Sequence, residues 1–379
     1  MDVRLVTRTG VERHPVEALP DLLARARAAA TDDGGGEESG YGDDGDGRGG
    51  AGFVWLDIPD CEPTATKVLR EVFGFHPRAV HDCSDRNRVP KTHSYADHVF
   101  VVLHTPERGE GGHVHYIELD QFIGRHFLVT VHGPINPVVD PQVAVRETRS
   151  VLERLESGRL RPATPFDLTH AIVLALAASQ ESFVEALTAD VWDLEQRVVG
   201  GHFGEPEPFL DEMFRARHGL LAARTISTLN REIYARLAGR SWALTPVARP
   251  LLAEAVDEFE QVRNLADVQR EYLQGVIEFY RTRIETKMTI AAERLAVIAA
   301  ITLPVTAISS VYGMNIIVNS HTRYLQLAIV LVAIVTMSAT LLRWARRRGW
   351  WGTLDRHDRR GDVPNPRGRR DENPGPHPL

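Results

Sequence analysis

The hydrophobic pattern of the chain first predicts strands and then helices. Four short runs rich in β-branched and aromatic residues lie between residues 53 and 137: FVWLDI, HVFVVLH, HVHYIELDQFI and HFLVTVH. They predict strands, with a helix over residues 64–73 between them. We therefore expect a small α/β domain over residues 1–140. Within it, the acidic, glycine-rich residues 31–52 predict a disordered insertion.

From residue 141 the pattern is helical, and residues 141–291 are assigned to a helical stalk domain. Thr164-Pro165-Phe166-Asp167 is a strong helix start, because threonine caps free N–H groups and proline fits the first helical position. Thr245-Pro246 marks a second start. Residues 251–314 contain a single proline and few glycines, so they predict one continuous helix about 95 Å long.

Two long uncharged runs follow. Residues 295–322 contain no Asp, Glu, Lys or Arg, and after Arg323 the run 324–342 is again uncharged and strongly apolar. A helix of about 20 apolar residues crosses a bilayer. We predict transmembrane helices over 292–315 and 324–342, joined by an outer loop over 316–323. One such run would fit a buried core helix, but two in succession favour a membrane hairpin.

Basic residues flank this hairpin and predict its orientation. Four, Arg281, Arg283, Lys287 and Arg294, lie before the first uncharged run and four follow the second, whereas the connecting turn holds only Arg323. The positive-inside rule then places both termini in the cytoplasm, including a tail over 343–379. The first residues, MDVRLVTRTG, lack the apolar region of a signal peptide. We therefore expect a multi-pass protein of the cytoplasmic membrane, with the lipid bilayer as a partner.

Composition narrows the possible functions. A net charge of −7 argues against a nucleic-acid partner, and 43% hydrophobic residues exclude both a fully disordered chain and one made mostly of membrane helices. Only two cysteines, Cys61 and Cys83, are present, so neither a disulfide framework nor a cysteine-based zinc site is predicted. The chain lacks a GxxxxGK[ST] phosphate-binding loop, and no organic cofactor is expected.

The first predicted span carries a narrow stripe of mostly small and hydroxyl-bearing residues, at alternating spacings of three and four. Its members are Thr289, Ala292, Ala296, Ala299, Leu303, Thr306 and Ser310. Small residues are common where membrane helices pack together. The same stripe could line the axis of an oligomeric pore. Spacing alone supports both interpretations equally.

The end of this span carries a motif. Leu303-Pro304-Val305-Thr306, then Tyr312-Gly313-Met314-Asn315 and a second span, resemble the CorA family of divalent-cation transporters. Local physics alone would make the glycine and asparagine a helix C-cap. Upstream, the resemblance continues through Trp55-Leu56-Asp57, Phe75-His76-Pro77, His81-Asp82, Pro90-Lys91 and Tyr95.

The resemblance implies a homopentameric funnel rather than an enzyme. A cytoplasmic α/β domain would lead into a long stalk helix that continues as the pore helix. The permeant ion would be Mg²⁺, with Co²⁺ and Ni²⁺ as further candidates, driven by the membrane potential. Gly313, Met314 and Asn315 would form the selectivity filter.

The chain also departs from the family pattern. Thr289 stands where an asparagine is often found in the pore helix. The segment after the motif, Ile316 to His321, lacks the usual acidic residue. Ion identity and transport direction therefore stay open, and a zinc transporter of the ZntB-like branch is an alternative.

Family members are closed by metal bound between protomers, and this implies regulatory candidates. Glu254, Asp257 and Glu278 lie on the corresponding helix. Under this hypothesis Mg²⁺ is both the transported and the regulatory ion. The alternative, without a regulatory role, is that these acidic residues form a solvated helix face.

Two further interpretations differ in class. The histidines at positions 76, 81, 93, 98, 113 and 115, with Asp82, could suggest a membrane-bound metal-dependent phosphohydrolase, although they show no ordered ligand spacing. A membrane-anchored metal sensor without transport is the other. Phosphatase activity would favour the first, and the absence of ion flux the second.

Overall fold

A computed structural model describes residues 1–32, 52–134, 136–202, 204–239, 248–316 and 324–347. The chain divides into two compact units, Met1–Phe279 and Tyr280–Leu379. The predicted insertion falls outside the described residues except for its ends. Residues 31 and 32, predicted to begin the insertion, are instead the end of a helix. Thr245-Pro246 also lies outside them.

The first unit is built around one seven-stranded sheet. Its strands are β1 (Asp2–Val6), β2 (Val11–His14), β3 (Phe53–Ile58), β4 (Lys91–Ser94), β5 (His98–Arg108), β6 (Val114–Gly124) and β7 (Phe127–His132), in the order β2-β1-β3-β7-β6-β5-β4. Only the β3–β7 pair, in which Val54 lies opposite Phe127, is parallel among these strands. All four strands predicted from the hydrophobic runs are confirmed.

Both faces of the sheet are covered. Trp55 on one side of β3 belongs to a core shared with the long helices, whereas Val54 and Leu56 face a second core formed with the N-terminal helices. Because successive side chains of a strand point to opposite faces, β3 is apolar at nearly every position. The helices of the second core are α1 (Leu19–Asp32), α2 (Pro63–Glu71) and α3 (Pro77–Ser84).

The remaining helices follow the sheet in the chain. They are α4 (Pro141–Ala144), α5 (Arg146–Glu156), α6 (Pro165–Gly200), α7 (Pro206–Ala238), α8 (Ala248–Ile316) and α9 (Tyr324–Arg347). The predicted start of α6 is confirmed. Thr164 accepts from the Asp167 N–H, while the Asp167 carboxylate accepts from the Thr164 N–H, which forms a capping box.

The sequence placed a domain boundary between residues 140 and 141, but the two parts share a core. Leu168 and Ile172 of α6, Tyr234 of α7 and Phe259 of α8 pack in the same cluster as Trp55. Since strands and long helices bury one another, the change of pattern near residue 140 marks a change of layer inside the first unit.

The long helix predicted over residues 251–314 is confirmed and extends further, from Ala248 to Ile316. Pro304 lies inside it. The second predicted span is helical as α9, which continues to Arg347, so the first residues of the predicted tail are helical. Residues 317–323 and 348–379 lie outside the described residues.

Candidate functional site

The predicted stripe lies on exposed surface of α8. All seven of its residues, from Thr289 to Ser310, are exposed, and Leu303 is 67% exposed. Apolar side chains in such positions need a cover that a single copy of the chain does not supply. The stripe is therefore available to a neighbouring copy, to lipid or to a pore.

The opposite side of α8 is the side that the protomer itself covers. Val297 is 3% exposed, and Ile301, Pro304, Val305 and Ile308 are partly buried. At 3.6 residues per turn, the centre of this face lies roughly 160° from the centre of the stripe. A two-helix hairpin that buries one face of its long helix leaves the stripe pointing outward.

Helix α9 shows the matching arrangement. Val330, Ile334, Met337 and Leu341 are partly buried and recur at spacings of four, three and four, whereas Val332 and Val335 between them are exposed. One covered face on each helix is what two amphipathic helices of one unit present when they pack.

Hydroxyl groups on α8 are tied to its backbone. Thr289 donates to the Glu285 carbonyl at 2.9 Å, and Thr306 donates to the Thr302 carbonyl at 2.8 Å. This satisfies each hydroxyl hydrogen inside the helix. The oxygen lone pairs stay available as acceptors on the stripe, which suits a hydrated cation.

The glycine-methionine-asparagine motif belongs to the last turns of α8. The backbone is helical through Gly313, Met314 and Asn315 and ends at Ile316. Gly313 therefore does not end the helix as a C-cap glycine, which local sequence reasoning had favoured. The motif occupies the helix terminus itself, where the final carbonyl groups have no helical N–H partner.

The three predicted regulatory acids do not form one site within a protomer. Glu254 and Asp257 are one turn apart on α8, while Glu278 lies about 36 Å from Glu254 along the helix at 1.5 Å per residue. All three are exposed. Glu254 has a contact that the sequence did not reveal: its Oε2 lies 3.2 Å from Nε2 of His170 on α6.

The histidines of the phosphohydrolase interpretation are dispersed. His76 caps α3 by accepting from the Arg78 N–H at 3.2 Å, and the ring of His98 stacks on Tyr95 with centroids 4.7 Å apart. Asp82 is held by Lys91 at 2.7 Å. Among the described residues, no group of three or more His, Cys, Asp or Glu side chains is arranged to hold a metal ion.

A buried polar network that sequence analysis missed joins the sheet to the helices. The His104 carbonyl accepts from Gln180 on α6 and from Asn230 on α7, both at 2.9 Å. The His104 ring lies 3.6 Å from Glu118, whose carboxylate also accepts from the Asn87 N–H. In the sequence, the only indication of this network was the presence of polar residues inside the apolar runs.

A second buried pair lies at the β3–β7 junction. Asp57 accepts from Thr130 at 2.5 Å and lies 3.1 Å from Nε2 of His132. Burial alone would raise the pKa of Asp57, but the charge of His132 and the hydrogen bonds from His132 and Thr130 lower that pKa below its usual value. His132 and Thr130 are buried and the Asp57 side chain is only 15% exposed, so this pair stabilises the fold.

Two described helices have the length and hydropathy of a membrane span. Pro165–Gly200 is half buried inside the first unit, as befits a core helix, whereas Ala248–Ser310 contains an apolar window that is only 6% buried. The described apolar part of α9 is Ala328–Trp344. The last part of α8 is therefore the described helix that best fits a bilayer.

Comparison with known proteins decides the family. Residues 50–348 match the family of CorA-like Mg²⁺ transporter proteins, which is most of the chain. The chain belongs to the CorA family. Its members are transporters rather than enzymes. This chain is therefore a CorA-like divalent-cation transporter that is integral to a membrane. The phosphohydrolase and transport-free sensor interpretations were wrong.

Two curated CorA relatives show how far the similarity extends. YfjQ of Bacillus subtilis, provisionally named a metal ion transporter, is 25% identical over 303 residues, 79% of this chain and 90% of YfjQ. The cobalt/magnesium transport protein CorA of Thermotoga maritima is 23% identical over 268 residues, 69% of this chain and 73% of that protein.

Solved structures agree on the fold. The complete CorA magnesium transporter of Methanocaldococcus jannaschii gives a TM-score of 0.70 at 14% identity, over 92% of this chain and 98% of that one. The full-length CmaX protein gives 0.65 at 15% identity, over 91% and 97%. The CorA fold thus accounts for both units of the chain.

Proposed function

We propose that the chain forms a homopentameric channel in the cytoplasmic membrane that takes up Mg²⁺, with Co²⁺ and Ni²⁺ as further substrates. The observation that carries this proposal is the position of the stripe on α8. Its seven exposed residues face away from the side that the hairpin covers, so five copies can bring their stripes together around one axis. Both termini would then be cytoplasmic.

The filter in this proposal is the ring of Gly313, Met314 and Asn315. Mg²⁺ keeps its inner water shell with unusual tenacity, so carbonyl and amide oxygens around a wide ring would bind the hydrated ion. Such oxygens carry no net charge. They recognise the ion without the strong attraction that would hold it in place.

The membrane potential supplies the driving force. A divalent cation that moves to the negative side gains about 4.6 kcal/mol per 100 mV, twice the value for a single charge. No nucleotide is needed. The stripe from Thr289 to Ser310 would form the path between filter and cytoplasm.

Regulation by cytoplasmic Mg²⁺ is the second part of the proposal. Glu254, Asp257 and Glu278 are exposed on α8, and equivalent acids of five copies would repel one another. Bound Mg²⁺ would reduce this repulsion and hold the symmetric, closed state. If replacement of all three by alanine leaves the Mg²⁺ dependence of protease protection unchanged, these residues are not the regulatory site.

Uptake into proteoliposomes tests the channel and its filter together. The experiment applies an inside-negative potential and compares Mg²⁺, Co²⁺, Ni²⁺ and Zn²⁺ for the native protein and Asn315→Ala. We expect potential-driven Mg²⁺ uptake that the variant loses. Zinc flux that follows a proton gradient rather than the potential would instead establish a ZntB-like zinc transporter.

A further inference from the structure

Two apolar stripes lie exposed on the helices of the first unit. On α7, Leu210, Phe214 and Leu221 are 47%, 68% and 43% exposed. On α8, Val268 and Tyr272 are 60% and 40% exposed. Residues four and eleven positions apart lie on one line of a helix, so each stripe is contiguous. Contiguous exposed apolar surface of this kind marks an interaction site.

The exposed apolar residues Val268 and Tyr272 of α8, which are distinct from the pore stripe, border a groove. Val268 and Tyr272, with Val199 of α6, line a groove of about 600 Å³ between α6 and α8. Glu195 and Glu271 also line it. The pKa of Tyr272 is raised by its hydrogen bond to the Glu195 carboxylate, which fixes the tyrosine at this place. The groove is concave and apolar, with acidic side chains along its edge.

The exposed residues Leu210, Phe214 and Leu221 of α7 form a second surface, which we call the ridge. It is convex where the groove is concave. Phe214 projects most, and its ring is parallel to that of His218 with centroids 6.3 Å apart. The exposed Arg217 lies beside it and forms no ion pair within the part of the chain that the structure describes. The ridge is therefore convex and apolar, with the exposed Arg217 next to it.

Rotational symmetry gives these two surfaces a common explanation. A closed ring of identical copies needs two different, complementary surfaces on each copy. We propose that the Leu210–Phe214–Leu221 ridge of one copy seats in the groove between α6 and α8 of the next copy, with Arg217 facing Glu271. This inference rests on the proposed homo-oligomer, and it names the two surfaces through which neighbouring copies would form the closed ring.

Dimensions and charge both favour a second copy as the occupant. From Leu210 to Leu221 the ridge is about 16 Å long at 1.5 Å per residue, and the α8 side of the groove from Val268 to Phe279 has the same length. Arg217 beside the ridge would meet Glu271 beside the groove. An anionic lipid headgroup would instead be repelled by Glu195 and Glu271.

Cysteine crosslinking of the full-length protein in detergent tests the contact. In a Cys61→Ser background, where the remaining Cys83 is buried, Phe214→Cys is combined with Val268→Cys. Mild oxidation should give a ladder of covalent dimers and higher species on a denaturing gel. Val138→Cys with Val268→Cys is the matched control, because Val138 is 74% exposed and belongs to the connection between β7 and α4 rather than to the ridge or the groove.

Charge reversal tests the pairing. Arg217→Glu and Glu271→Arg should each reduce the crosslinked fraction severalfold, and the double variant should restore it. Arg236→Glu, on the same helix but already paired with Glu232, should leave the ladder unchanged. A double variant that fails to restore crosslinking would overturn the Arg217–Glu271 contact.

The outcomes separate this inference from the proposed function. A protein that takes up Mg²⁺ in liposomes but gives no more crosslinking with Phe214→Cys than with the Val138→Cys control overturns the ridge-and-groove interface alone. A full ladder without ion flux supports the interface and overturns the proposed channel. Phe214 crosslinking that disappears when lipid is added back would identify the groove as a lipid site.

Discussion

Nε2 of His170 lies 3.2 Å from Oε2 of Glu254, so a carboxylate that the sequence marks as regulatory lies against another helix of its own protomer. Glu254 is half exposed, whereas the His170 side chain is mostly buried. The contact joins α6 to the beginning of the long helix α8. Any metal that binds Glu254 must compete with this histidine.

This competition gives the first prediction. His170→Ala should free the carboxylate and lower the Mg²⁺ concentration that protects the protein from protease, whereas Glu254→Gln should raise it. Even a charged contact at a partly exposed site contributes at most about 1 kcal/mol, so each shift should be at most about fivefold. Titration of protease protection with Mg²⁺ measures both. Shifts in the same direction would show that the histidine does not compete with metal.

The pore stripe gives the second prediction. Ser310→Leu puts a bulky side chain on the stripe and should reduce Mg²⁺ uptake into liposomes by about tenfold or more, equivalent to about 1.4 kcal/mol in the barrier. Ser309→Leu is the control, because Ser309 is also exposed but lies about 100° around the helix. Equal loss in both variants would remove the stripe from the conduction path.

The third prediction concerns Asp120 on β6, which is fully buried. Neither of its carboxyl oxygens has a hydrogen-bond partner in the described structure, and the neighbouring Cys83 thiol donates to the Ala79 carbonyl instead. Burial, followed by the charge of Glu118, raises the pKa of Asp120 well above its usual value. The folded protein therefore holds a proton that the unfolded chain loses above about pH 4.

The sign of the pH effect follows. Because the folded state binds the extra proton, the free energy of unfolding falls as pH rises above about 4. Asp120→Asn removes this titration, so the variant should be more stable than the native protein at pH 7, by an amount that shrinks towards pH 4. Thermal unfolding in detergent between pH 4 and pH 8 measures it, with the exposed Asp140→Asn as control. A difference that is independent of pH would mean that Asp120 does not titrate there.

Asp57 should have the opposite effect on the pH dependence of the free energy of unfolding. Its pKa is lowered by His132 and Thr130, so its contribution to stability is present above about pH 4 and is lost as pH falls through the lowered value. Asp57→Asn should cost about 3 kcal/mol at neutral pH, the scale for removing one partner of a buried pair. Unfolding in denaturant at pH 7 and pH 3 tests this. If Asp57→Asn lowers the free energy of unfolding as much at pH 3 as at pH 7, the stabilisation does not come from the ionised Asp57 carboxylate.

Sequence patterns predicted the elements that are apolar along their length. Strands β3, β5 and β7 are buried on both faces along nearly all of their length, and β6 over its last seven residues, so their hydrophobic runs predict strands clearly; the start of α6 carried its capping residues. Strands β1, β2 and β4 were not predicted. β2 and β4 are edge strands with mostly polar, partly exposed residues, so their hydrophobic signal is weak.

The site was predicted only in part for a related reason. A helical repeat identified the stripe on α8, but which side of the helix the protomer covers depends on packing against residues far away in sequence. The His170–Glu254 contact and the network around His104 likewise join positions that no local pattern connects. Such contacts follow from the tertiary fold.

The parallel pairing of β3 with β7 has a consequence for biosynthesis. β3 can pair with β1 as soon as both strands have been made, but its other edge stays open until β7 leaves the ribosome. An open apolar edge invites pairing with other chains. Slowed synthesis between Ile58 and Phe127 should therefore increase aggregation of the nascent protein more than the same delay after His132, when both edges of β3 are paired.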